Sequence, residues 1–145
     1  RLFNNLTFDS GVMVHHIRYF TPNKGATMKS YAKQLSKQID NSTPFILIGA
    51  SLGGMLATEM TDFLNPENTI IISSAKKRAE LPSGYRMQRY TLIYKIIPPF
   101  LYKIGAKIMQ PLVEPDRNKE KEIFKSMLAK KDPKFLSRTI QMIIK

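Results

Sequence analysis

Ser51 stands between two glycines in the run Gly49-Ala50-Ser51-Leu52-Gly53. A serine hydroxyl becomes a useful nucleophile when it is lifted clear of the chain and paired with a base. The spacing here suits the first requirement. The apolar run Phe45-Ile46-Leu47-Ile48 precedes it, and Met55, Leu56, Met60 and Phe63 follow at helical intervals, before Asn65-Pro66. A strand that reverses into a helix within a few residues forces its central side chain into a strained backbone conformation. Small neighbours at Gly49 and Gly53 relieve the crowding, and the hydroxyl projects at the carboxyl edge of the sheet. The helix that follows aims unpaired amides at the same spot, the Leu52 N–H among them, where an oxyanion would form. The pattern G-x-S-x-G alone would arise by chance in about one of forty chains of this composition, so the flanking strand and helix carry the weight. Neither a G-x-G-x-x-G nor a Gly-Lys-Ser/Thr phosphate loop is matched.

The base is missing from its expected place. Histidine occurs only at positions 15 and 16, inside a stretch that reads as a strand. Strand neighbours face opposite ways, so at most one could face Ser51, and both are expected to be ordinary strand residues. Among the carboxylates after Ser51, Glu59 and Asp62 are expected to be solvated or paired on the helix, and Glu80 is the one candidate acid worth testing. The chain has no cysteine, which excludes a thiolate metal site, a disulfide framework and a cysteine nucleophile. No cofactor and no metal are expected.

These residues need elements to position them. Val12–Tyr19 (VMVHHIRY) is rich in β-branched and aromatic residues and predicts a strand. A loop over Thr21-Pro22-Asn23-Lys24-Gly25 follows, and Thr27 is a suitable N-cap for a helix. Met28, Tyr31, Ala32, Leu35 and Ile39 recur there at steps of three and four, with Lys29, Lys33 and Lys37 on another face. Phe45–Ile48 predicts a strand covered on both faces, and Thr69–Ser73 a further buried strand. Strand, helix, strand, helix, strand predicts an α/β fold with a parallel sheet and right-handed crossovers. After Ser74 the patterns turn helical: Arg86 to Ile108 with a break at Pro98-Pro99, about 118 to 129, and Pro133 to Ile144 with Asp132 as N-cap.

The stretch Pro44 to Met60 (PFILIGASLGGMLATEM) is similar to the strand, nucleophile elbow and helix of the α/β-hydrolase superfamily, in its lipase, esterase and thioesterase-like members. The resemblance extends to the preceding SYAKQLSKQID, and the helical residues after Ser74 resemble the cap that many members insert. It implies a partial α/β-hydrolase fold: parallel strands with flanking helices plus a helical cap, divided into a core over residues 1–75 and a basic cap over 76–145. It implies a serine hydrolase acting on an ester, thioester or similar acyl bond, with Ser51 as nucleophile and the Leu52 backbone amide as oxyanion donor. The family's second oxyanion donor would lie upstream of Arg1. The family order places an acid and then a histidine after the serine, and no histidine follows Ser51. Both are therefore expected outside this chain, which by itself is expected to be inactive. The strand that would separate Val12–Tyr19 from Phe45–Ile48 is likewise expected upstream. The expectation is an internal portion of a protein of roughly 230–270 residues.

Charge divides the sequence as well. Residues 1–74 hold 6 basic and 5 acidic side chains, and residues 75–145 hold 17 and 6, nearly all of the net +12. Such an imbalance can be a solvated lysine surface or can attract an anionic membrane face at the periphery. Nucleic acid is not an expected partner, since no aromatic–basic reader module is present. No apolar run approaches the roughly 18 residues of a membrane span. The expected partner is a small apolar acyl substrate, suggested by Tyr90, Ile93, Tyr94, Ile97, Leu101 and Ile104. The alternative is a catalytically incomplete hydrolase-like fold whose basic cap binds an anionic surface or partner.

Overall fold

The computed structural model describes Phe3, residues 6–81, Ser83, Arg86, Met87, Tyr90, Ile97, Pro98 and residues 132–145. Most of the helical patterns between 86 and 129, with most of the apolar side chains expected to meet substrate, lie outside the described residues.

Helix α1, Met28–Ser36, begins where the threonine cap was expected. The Ser30 N–H donates to Thr27 Oγ1 at 3.1 Å, and the Thr27 N–H donates to Ser30 Oγ at 3.0 Å, so two otherwise unpaired amides are satisfied reciprocally. Its Tyr31, Ala32 and Leu35 face is wholly buried. Strand β1, Ile46–Ala50, and strand β2, Asn68–Ile72, pair in parallel, with Ile46 opposite Asn68 and Ala50 opposite Ile72. Between them runs helix α2, Leu52–Met60, which starts directly after Ser51. The chain is thus α/β, a parallel pair of strands with flanking helices.

One core joins these elements. Leu47 of β1 packs with Tyr31, Ala32 and Leu35 of α1 and with Leu56, Ala57 and Met60 of α2. Full burial of Leu35 and Leu56 contributes roughly 1.5–3 kcal/mol each before the entropy cost. The opposite face of the sheet departs from expectation. Ile46, Ile70 and Ile72 are exposed, so among the described residues the strands are covered on one side only.

The final helix, α3, spans Pro133–Ile144, and Asp132 caps it by accepting from the Lys134 N–H at 2.9 Å. Its Met142 enters the core that α1 and α2 form. The same helix ties down the loop after residue 19. Arg138 donates to the Pro22 carbonyl at 2.6 Å and Lys145 Nζ to the Gly25 carbonyl at 3.1 Å. The Phe135 ring stacks on Tyr19 with centroids 6.5 Å apart.

The expected strand at Val12–Tyr19 does not form: no residue in that span has strand structure. Val12, Met13 and Val14 are all exposed, which is not the alternation of a half-buried strand. β-branched residues favour strands because they fit a pleated surface, and no strand lies beside this segment among the described residues. The Gln38 side chain takes a neighbour's place at one position. It accepts from the Arg18 N–H and donates to the Arg18 carbonyl, both at 3.0 Å.

Candidate active site

Ser51 occupies the single residue between the last position of β1 and the first of α2. Its backbone takes φ 50° and ψ −120°, a region in which a side chain costs on the order of 1–3 kcal/mol. The conformation persists because its surroundings fix it on every side. The Ser51 N–H donates to the Ile72 carbonyl at 3.0 Å, extending the register of the sheet. The Ser51 carbonyl accepts from the Gly54 N–H at 3.0 Å and the Met55 N–H at 3.2 Å, which starts the helix. It also accepts from Ser74 Oγ at 2.7 Å. Ser51 is exposed, and its hydroxyl makes no capping bond to the helix.

Two glycines make the turn sterically feasible. A Cβ at Gly49 would collide with the Gly53 carbonyl and the Gly54 nitrogen. A Cβ at Gly54 would collide with the Ser74 side chain. Gly49 belongs to the serine-flanking pattern, whereas the need for a glycine at 54 comes from a residue twenty positions later.

The amides of Leu52 and Gly53 donate to no backbone carbonyl among the described residues, as expected of the first positions of a helix. They carry the positive end of the α2 dipole beside the Ser51 hydroxyl. The Leu52 side chain meanwhile packs against the core, which anchors that residue while its N–H remains available. Such an arrangement can present a nucleophilic hydroxyl and stabilise negative charge developing next to it.

Tyr19 borders the same turn. Its hydroxyl would be 3.0 Å from a Cβ placed on Gly53, and its ring is held edge-on to Tyr31 and stacked on Phe135. Desolvation raises the phenol above its usual pKa, so it is protonated at neutral pH. In the sequence Tyr19 reads only as the end of a strand, and Ser74 only as a boundary. The one sequence signal for Ser74 was the doubled glycine, because the serine-flanking pattern ends at Gly53 and leaves Gly54 unexplained.

The remaining candidates lie apart from this cluster. His15 is exposed and His16 half-buried, and neither hydrogen-bonds to Ser51. Glu80 accepts from the Lys76 N–H at 2.8 Å and so closes its own short 3-10 turn at Arg78–Glu80. Asp62, expected to be solvated or paired, meets Lys29 of α1 at 3.0 Å on the surface. Among the described residues no group of three or more metal-binding side chains occurs, and no helix is long and apolar enough to cross a membrane.

The model of an uncharacterised protein family, UPF0227, matches residues 8–94, more than half of the chain. The chain belongs to UPF0227. No curated protein and no solved structure matches it. The UPF0227 match contains the whole constellation just described, from Tyr19 through α1, β1, Ser51 and α2 to β2 and Ser74, and it ends before α3.

Proposed function

We propose that this UPF0227 chain is the nucleophile-bearing portion of a serine hydrolase of the α/β-hydrolase type, acting on an ester, thioester or similar acyl bond. Ser51 Oγ attacks the acyl carbonyl, and the Leu52 N–H donates to the oxyanion of the tetrahedral intermediate. A histidine outside this chain, held by an acid, takes the serine proton and returns it to the leaving group. Water then hydrolyses the acyl-enzyme by the same route. The substrate is a small apolar acyl compound, a reading that rests on the apolar spacing from Tyr90 to Ile104.

The observation that carries this proposal is the backbone of Ser51. An exposed serine at φ 50° between a parallel strand and a helix N-terminus, with Gly49 pressed on the Gly53–Gly54 peptide, is a costly arrangement for an ordinary turn. Strain of this kind concentrates where a side chain must be presented.

A fluorophosphonate probe applied to the complete protein tests it. The expected result is one covalent label per chain that disappears in Ser51→Ala. Labelling that persists in that variant removes the mechanism. An intact, folded protein that takes no label leaves the alternative, a catalytically incomplete fold whose basic second half meets an anionic surface.

A further inference from the structure

We propose that Ser74 is a positioning residue for the oxyanion-stabilising Leu52 amide. The inference rests on the hydrolase reading of Ser51 and adds a residue which that reading does not contain.

The reasoning begins with the peptide that joins Ser51 to Leu52. A peptide unit is planar and trans, so its carbonyl and its N–H point in opposite directions, and no cis peptide bond occurs among the described residues. Whatever holds the Ser51 carbonyl therefore aims the Leu52 N–H. Three donors hold that carbonyl: the Gly54 N–H, the Met55 N–H and Ser74 Oγ. The two amides belong to the first turn of any helix that starts here. The hydroxyl at 2.7 Å is the shortest of the three and the one that reaches in from outside the helix. It also polarises the peptide, which makes the N–H at the other end a better donor.

The surroundings are shaped to deliver this hydroxyl. Ser73 takes φ 45°, another sparsely populated conformation for a residue with a side chain. The chain thus turns sharply on leaving β2 and sends Ser74 back toward the turn at Ser51. Gly54 leaves the space that the Ser74 side chain fills, and the next residue, Ala75, is buried. The end of β2 is consequently linked to the end of β1 through the serine's own carbonyl, 23 residues away. The Ser74 hydroxyl is directed at this backbone carbonyl, so it acts on the amide and not as a ligand of the substrate. Its effect falls on the chemical step and leaves substrate affinity unchanged.

The test uses the complete protein, with 4-nitrophenyl butyrate as substrate and a fluorophosphonate as covalent probe. Ser74→Ala is expected to lower kcat and the maximal labelling rate by roughly 10- to 100-fold, the range for a small misplacement of catalytic geometry, with KM within about twofold of the parent. Ser74→Thr, which keeps the hydroxyl, should restore most of the loss. A folded Ser74→Ala variant with parental kcat overturns the proposal, as does a loss confined to KM or one that threonine fails to restore. Ser51→Ala is measured in parallel. If it still labels, the hydrolase reading itself fails; if it does not label while Ser74→Ala labels at the parental rate, only the role of Ser74 fails.

Discussion

A methyl group at residue 49 would have nowhere to go, because the space it needs is taken by the Gly53 carbonyl carbon and oxygen and the Gly54 nitrogen. Those atoms are backbone at the start of a helix and cannot swing aside as a side chain could. Gly49→Ala should therefore destabilise the protein by at least about 1–3 kcal/mol, the usual cost of overpacking, seen as a lower urea midpoint. Gly11 is the internal control: apart from its chain neighbours, no atom of the described residues lies within 4 Å of a Cβ there, so Gly11→Ala should leave the midpoint nearly unchanged. The contrast is informative about composition. Two residues of one type are constrained to very different degrees, and only the neighbourhood of each reveals which matters.

Helix α3 gives the element scale its clearest case, since it fastens a loop more than a hundred residues away in sequence. Arg138 donates at 2.6 Å to Pro22, a buried residue. Hydrogen bonds from charged groups contribute roughly 1.5–3 kcal/mol. Arg138→Ala should lower stability by about that amount, checked by urea titration, and should make the 19–25 loop a faster site of limited proteolysis. The elements legible from sequence were those with local signals. The Thr27 cap, the three- and four-residue spacing of α1, the apolar run of β1 and the Asp132-Pro133 start of α3 all lie where residue types placed them. Glycine on either side of Ser51 likewise marked the turn. What could not be read depends on distant partners. Val12–Tyr19 has strand-forming side chains and no adjacent strand among the described residues. The covering of β1 depends on what meets each face of the sheet, and its composition states only that both could be buried. The bond from Ser74 to the Ser51 carbonyl joins two loops that only the fold brings together.

Across the whole molecule, the described residues form a core on one side of a two-stranded sheet, with Tyr31 at its centre. Tyr31 is fully buried and donates to the Phe20 carbonyl at 2.6 Å. Burial, and secondarily the nearby Tyr19, push its pKa from 10.0 to about 12. In the unfolded chain the phenol loses its proton near 10, while the native state retains it until about 12. The native state thus binds more protons across that window, and stability must fall as pH rises through it. Chemical denaturation from pH 9 to 12 should show this decline, with a shallower slope in Tyr31→Phe; an unchanged slope in that variant would assign the loss elsewhere. The pairing of Gln38 with Arg18 has a different consequence. Segments rich in bare β-branched residues recruit passing chains through their backbones, which is the first step toward aggregation. Here one glutamine already occupies both recruiting groups of residue 18. A newcomer must evict it before docking there, so a single side chain serves as a guard against self-assembly on the stretch that most resembles an unmatched strand.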